Sequence, residues 1–371
     1  MKGQRPELLT KQNLNGILFK MSFEQFLIRW EKVRAVRWSL IFLPSLFFSS
    51  ISLALSGPPI AWKSPSLDFA AVDFSAGNFI GGESFQLALA STRKIFLYSY
   101  PVISSSPVSV YVMPEGQSRI LSLEASPLGA GAKAKLFVTY YDGALGQVGT
   151  RVFEFSLSQK IWKPLAQIPY VVRGIGGTGV GSLFCQQLLD NGSFPLSAIY
   201  PLTYKEGYSS ADKSDKRVLS RWLYSQTAVH LKGQDLFAAI VSGNRLEISS
   251  KGKEWTIPGS YGQSPNRLRW PVSSSHILEF SPRILFKKGL LFVVKNESRW
   301  GFLAESFGLF DRGKISSLKW RDEDFERNWT RSFPGVVSDI DLLYPSGSNS
   351  PQLIALWTGS SKKTHLWAFN L

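Results

Sequence analysis

One pattern recurs six times along this chain, and it excludes most folds. A strand of the type apolar-apolar-x-apolar is followed by a turn and then by a second, alternating strand. The copies are FQLALASTRKIFLYSY from Phe85, KLFVTYYDG…TRVFEFS from Lys135, SLFCQQLL…SAIYPLTY from Ser182, DLFAAIVSGNRLEISS from Asp235, LLFVVKNES…KISSLKW from Leu290 and QLIALWTGSSKKTHLWAFN from Gln352. Their starts lie 50, 47, 53, 55 and 62 residues apart. Helical periodicity is nearly absent after residue 60. A near-constant period of this size, built of short strands, describes units that cannot bury both faces alone and must stack on one another. Closing the stack into a ring also protects edge strands that would otherwise template aggregation.

The sequence therefore predicts an all-β chain, a β-propeller of six to seven blades over residues 71–371. It is preceded by a signal or anchor segment at 1–56 and an extended linker at 57–70 that opens with Gly57-Pro58-Pro59. A composition of 44% hydrophobic and 13% aromatic residues supplies enough core for such a body. Two polar stretches interrupt the pattern. Tyr204–Arg217 (YKEGYSSADKSDKR) reads as a mobile insertion loop, and Arg321–Asn328 (RDEDFERN) as a turn rather than a helix.

The front of the chain has the layout of an export signal. Arg29, Lys32, Arg34 and Arg37 precede WSLIFLPSLFFSSISLAL, an uncharged run from Trp38 to Leu55, and Ala54-Leu55-Ser56 offers small residues for cleavage before Gly57. Met21 as the true start would give the basic region an ordinary length. The alternative is an uncleaved anchor, against which Pro44 and the serines of the run weigh. Either reading places residues 57–371 outside the cytoplasm, in the periplasm or beyond the cell, with membrane contact only if the leader is retained.

Charge narrows the partners. The formal net charge is +15; eight of 42 basic and three of 27 acidic residues lie in 1–56, which leaves 34 against 24, a net of +10, for the remainder. The short clusters Lys213/Lys216/Arg217, Lys287/Lys288 and Lys362/Lys363 are scattered and do not form a stripe, so nucleic acid is not an expected partner. A solvated basic surface, with loose attraction to anionic envelope polymers, fits better. The single cysteine, Cys185, sits in apolar SLFCQQLL and reads as a buried, inert thiol.

The blade order, loop then buried strand then turn then a strand ending in Tyr, Phe or Trp, resembles the FG-GAP/VCBS repeat family, the integrin-α type of β-propeller. That resemblance implies a calcium loop rich in aspartate before the buried strand of a blade. Here Gly77-Asn78-Phe79 stands at the family's entrance to the loop, followed by Ile80-Gly81-Gly82-Glu83-Ser84, in which only Glu83 keeps a carboxylate. The second copy offers Gly129-Ala130-Gly131-Ala132, and the fourth Leu231-Lys232-Gly233-Gln234. The last has Asp339 and Asp341, then Pro345-Ser346-Gly347-Ser348-Asn349. Calcium requires six to eight oxygens, several of them anionic, so calcium is disfavoured and no metal residue is assigned. LFVTYYDG with VFEFSLSQKIWKPLAQIPYVVRGIGG and LFCQQ further resembles the middle of secreted bacterial VCBS-repeat proteins of unassigned role.

Other motifs carry less. Gly174-Ile175-Gly176-Gly177-Thr178-Gly179 matches G-x-G-x-x-G, but a strand follows where a dinucleotide site needs a helix. His230, His276 and His365 are spaced near one and two periods, in differing contexts, and read as independent histidines rather than a converging metal site. Ala355-Leu356-Trp357-Thr358-Gly359 with Trp367 only faintly echoes the docking segment of quinoprotein propellers. Asp322, Glu323, Asp324 and Glu326 could furnish a carboxylate pair for glycoside hydrolysis, and read first as a solvated acidic loop. No catalytic, cofactor or metal residue is assigned. The expected function is a binding or scaffolding propeller of the cell envelope that presents loops to a protein or polysaccharide. Two readings stand beside it, a secreted glycan hydrolase and a membrane-anchored assembly factor.

Overall fold

The computed structural model describes residues 57–82, 84–114, 118–126, 133–175, 182–188, 196–205, 208–211, 222–231, 234–250, 253–269, 277–321, 324–345 and 350–371. The chain first forms β1 (Ile60–Lys63) and then builds antiparallel sheets of four strands in simple up-and-down order. The first holds β2 (Asp73–Gly77), β3 (Gln86–Ala90), β4 (Lys94–Ser99) and β5 (Ser109–Val112). The second holds β6 (Arg119–Ala125), β7 (Leu136–Asp142), β8 (Gln147–Ser156) and β9 (Ile161–Ile168). The third contains β10 (Val171–Ile175), β11 (Ser182–Leu188), β12 (Leu196–Lys205) and β13 (Tyr208–Ala211). The fourth contains β14 (Gln226–Leu231), β15 (Gln234–Val241), β16 (Arg245–Ser250) and β17 (Lys253–Ile257). A short hairpin, β18 (Arg267–Arg269) with β19 (Ile277–Glu279), intervenes. The fifth sheet follows with β20 (Leu285–Lys287), β21 (Leu290–Glu297), β22 (Arg312–Arg321) and β23 (Asp324–Phe333), and the sixth with β24 (Gly335–Leu343), β25 (Gln352–Gly359) and β26 (Thr364–Asn370). The fold is a β-propeller of six blades.

Each recurring strand pair of the sequence is the second and third strand of one blade, so six copies mean six blades. Radial position explains their composition. The second strand has neighbours on both faces and is largely apolar, as in β3, which is buried along its length. Farther out one face meets solvent and alternation appears, as in β16. Buried clusters fill the spaces between blades. Phe79, Leu97 and Ile120 join Val138, Phe153 and Trp162 between the first and second, and Phe292, Trp329, Val337 and Phe369 lie between the fifth and sixth.

The ring is closed by the first and last described strands. The stretch read as an extended linker contributes β1, the outermost strand of the sixth blade, which pairs antiparallel with β26 (Ile60 opposite Phe369, Lys63 opposite Trp367). Within the stretch read as an insertion loop, Tyr204 and Lys205 end β12, and Tyr208–Ala211 are the edge strand β13; the rest of that stretch lies outside the described residues. The leader, residues 1–56, also lies outside them.

The up-and-down order fixes which connections share a face. Loops between second and third strands emerge on the same face as the links from one blade to the next. The first residues of β1, antiparallel to β26, lie on the opposite face.

Candidate functional site

In a ring of this kind the innermost strands point side chains at the axis, and here those side chains are charged. Asp73 comes from β2, Glu124 from β6, Arg173 from β10 and both Asp339 and Asp341 from β24, while Arg283 lies just before β20. None of the six is more than 7% exposed. Burial of that much charge is tolerable only when every group is paired and hydrogen-bonded.

Arg283 makes most of the pairs. Its backbone N–H donates to Asp339 Oδ1 at 2.7 Å, and Nη1 donates to Asp339 Oδ2 and to the Phe74 carbonyl, the latter at 3.0 Å. Nη2 donates to the Leu123 carbonyl at 2.9 Å and to Glu124 Oε2 at 3.1 Å, and Asp73 Oδ1 stands 3.9 Å from Nη1. One guanidinium thus ties four blades together. Backbone donors complete the carboxylates: Leu123 N donates to Asp73 Oδ2 (2.8 Å) and Leu342 N to Asp341 Oδ1 (2.9 Å). Arg173 lies 3.8 Å from Asp339 Oδ1 and 4.8 Å from the centre of the Tyr224 ring, a cation–π contact. Tyr224 donates to the Val172 carbonyl at 2.9 Å and meets Ser122 and Thr139.

Four carboxyl groups face two guanidinium groups, and two of the carboxyls are shifted toward the protonated form. Burial, then the neighbouring Asp339 charge, raise the Asp73 carboxyl well above its ordinary value, and a side-chain hydrogen bond links the two. Burial, opposed by Arg283 and reinforced by Glu124 and Asp339, pushes Asp341 up to about 7. Burial alone would lower Arg283, but Asp339, Glu124, Asp341 and Asp73 reverse it and hold that side chain cationic.

Apolar packing covers the cluster on one side. The β18–β19 hairpin sends Leu268 and Leu278, with Phe280 just beyond, into a buried cluster with Leu121, Val171, Ile175 and Tyr224 of the second and third blades and the approach to the fourth. Arg119 of β6 donates to the Arg267 carbonyl (3.1 Å) and to Asn266 Oδ1 (2.9 Å). These contacts, like those of Arg283, join the second blade to the approach to the fifth, directly across the ring. Among the described residues, these side chains meet across the axis.

Of the residues singled out in the sequence, Asp339, Asp341 and Gly174 meet this cluster and the other described ones lie elsewhere. Asp339 and Asp341, singled out at the last copy's calcium-loop position, belong to β24 and to this buried cluster around Arg283. Asp324 and Glu326 lie on β23, the outer rim of the fifth blade, where Glu326 is 3.8 Å from Arg321; Asp322 and Glu323 lie outside the described residues. His365, on β26, stacks on Trp357 with ring centroids 4.3 Å apart, and burial followed by the Lys363 charge lowers its pKa. The side chains of His230 and His276 are outside the described set. Cys185 is buried on β11, and burial pushes its thiol up to about 12, which leaves it protonated. Gly174 belongs to β10, where a Cβ would stand 3.0 Å from Glu124 Oε1, so that glycine makes room for a carboxylate and not a phosphate. In the loop after Gly77, Asn78 Oδ1 accepts from Gly81 N (2.7 Å) and Gln86 Oε1 from Phe79 N and Ile80 N (2.8 and 2.9 Å). Neutral amides hold that loop where a metal site would use acids. Among the described residues no group of three or more His, Cys, Asp or Glu is placed to hold a metal ion.

Away from the axis, one outer segment shows unusual apolar exposure. The connection between β21 and β22 contains the short helix α1 (Phe302–Ser306). Trp300 is 77% exposed, Leu303 62%, Phe307 79% and Leu309 62%. Glu305 turns the other way, accepting from Ser298 N and Gln263 Nε2, both at 3.1 Å.

No family model matches the sequence, and no curated protein matches it. Solved structures with a related course include an α-L-arabinanase of Penicillium chrysogenum complexed with arabinobiose. It has 9% identity and a TM-score of 0.45, with 83% of this chain and 98% of that one covered. A putative oxidoreductase (glucose dehydrogenase) of Thermus thermophilus has 14% identity and a TM-score of 0.41, covering 83% and 99%. The WD40 domain of Toxoplasma gondii coronin has 10% identity and a TM-score of 0.39, covering 81% and 69%. Overlaps this loose carry no argument about activity.

Proposed function

We propose that this propeller is an exported binding or scaffolding module of the cell envelope, and that its outer surface rather than its axis meets the partner, a protein or a polysaccharide. The observation that carries this reading is the burial and pairing of the acids at the axis. A glycoside hydrolase needs two carboxyl groups flanking the scissile bond, one of them able to reach a sugar or a water. Here the axial acids are buried, and Arg283 and backbone donors occupy their oxygens. Their chemistry holds blades together. The apolar run Trp38–Leu55 and the basic residues before it support export, and the absence of a basic stripe in the sequence argues against nucleic acid.

The full chain, incubated with its own envelope fraction, is expected to be retained there while releasing no reducing sugar. Asp341→Asn should behave in the same way. Reducing-end release by the parent chain that disappears in a folded Asp341→Asn variant would establish the hydrolase reading instead.

A further inference from the structure

We infer that the axis of the ring contains a water-binding site between the third and fourth blades, where Arg173 and Gln226 reach each other and the Asp339 carboxylate through ordered water rather than by direct contact. Two buried side chains with hydrogen-bonding capacity left over point to it. Gln226, the first residue of β14, is 4% exposed, and neither Oε1 nor Nε2 of its amide has a hydrogen-bond partner among the described residues. Arg173, in the middle of β10, is equally buried, and its Nη2 has no such partner either. Orphaned polar atoms at this depth are costly, and ordered water is what commonly meets them in a native fold.

The strands turn these two side chains toward each other. Val171 and Ile175, each two residues from Arg173, belong to the buried cluster against which Ala228, two residues after Gln226, packs. Val172 points the other way, into the cluster with Phe137 and Val152 of the second blade, and Val229 points toward Leu291 and Val293 of the fifth. Side chains alternate along a strand, so Arg173 faces the fourth blade and Gln226 faces the third. No direct hydrogen bond joins them. Arg173 lies instead over the Tyr224 ring, with Nη2 3.8 Å from Asp339 Oδ1. That separation is too long for a direct hydrogen bond and is the kind that a bridging water spans.

Charge selects the occupant. The acids of the axis, with Asp339 beside Arg173, repel an anion, and Arg173 and Arg283 repel a cation. The orphaned atoms are two donors, Arg173 Nη2 and Gln226 Nε2, and one acceptor, Gln226 Oε1. A guest must therefore be neutral, able both to accept and to donate, and small enough for a site walled by buried side chains. Water meets all three conditions. It also completes the ring. Arg283 joins the first, second, fifth and sixth blades by direct bonds, and water at Arg173 and Gln226 ties the third and fourth to the same cluster.

A crystal structure of the full chain in which ordered water is visible tests this. The expected result is discrete density within hydrogen-bond distance of Arg173 Nη2 and of at least one amide atom of Gln226, leading on to Asp339. A direct hydrogen bond between Arg173 and Gln226, with no density between them, would overturn the inference. Anomalous signal at that position after a bromide soak would overturn it in favour of an anion site. Gln226→Met supplies a measurement in solution, because it keeps the length of the side chain and removes both amide atoms. Oxygen-17 magnetic relaxation dispersion of the full chain should lose amplitude from long-lived water in this variant, with the circular dichroism of the parent retained. Equal amplitude in the parent and the folded variant would count against the site. Should the variant fail to fold, density in the parent crystal decides the matter alone.

Discussion

Arg283 shows how one side chain can organise a whole ring. Its pairs with Asp339 and Glu124, and its bonds to the Phe74 and Leu123 carbonyls, are all buried. Arg283→Met is therefore expected to destabilise the fold by about 3–5 kcal/mol, because it strands carboxylates without a cation. Urea unfolding would measure this, and adding Asp339→Asn should restore part of the loss. Asp341 gives the pH dependence its sign. Its folded pKa, about 7, exceeds the ordinary value of 3.8, so the folded state binds the extra proton between those limits. The stability that Asp341 contributes is complete below the lower limit and is lost as pH rises through the upper one. Asp73, raised in the same direction, extends the decline. Asp341→Asn should flatten the slope of unfolding free energy across that window; an unchanged slope would contradict the assignment. Little of this cluster was legible beforehand. Asp339 and Asp341 stood out only as a pair at spacing two, and Asp73, Glu124, Arg173 and Arg283 lie too far apart in sequence for any local pattern to unite them. The usable signal was a charge at the start of, or within, an inner strand of successive blades, visible only once the blades are in register.

At the scale of elements the sequence was far more explicit. Second and third strands were legible because burial on both faces, then on one, forces an apolar run followed by alternation. Innermost strands such as β2, with its Asp73 and Ser75, break that pattern, since they point polar groups at the axis. β1 was missed because its sequence, IAWK, is four residues long and half-exposed, and its partner strand is the last in the chain. The β18–β19 hairpin was missed for the same reason: three-residue strands carry no measurable period. Tight approach between elements also yields a prediction. At Gly335, the first residue of β24, a Cβ would stand 2.3 Å from the Thr358 carbonyl oxygen on β25. Gly335→Ala must push two hydrogen-bonded strands apart, and a loss of about 1–3 kcal/mol is expected in a denaturant titration, as for other overpacked sites.

On the scale of the molecule, six sheets that cannot stand alone lean on one another, and the first and last described strands meet in the last of them. A ring of this kind often leaves an axial opening, but here the second blade and the approach to the fifth meet across it through Arg283–Glu124 and Arg119–Asn266. The hairpin adds Leu268 and Leu278 to the buried cluster of the second and third blades. Large apolar side chains such as Trp300 and Phe307 are exposed away from that axis. Carbodiimide labelling of carboxyl groups on the native full chain, read residue by residue by mass spectrometry, tests the burial of the axial acids most directly. Asp68 and Glu326, with side chains 93% and 62% exposed, should be modified, while Glu124, Asp339 and Asp341 stay unmodified until denaturant is added. Labelling of those three at the rate of Glu326 in the folded protein would mean an open axis with reachable acids, and would contradict the account.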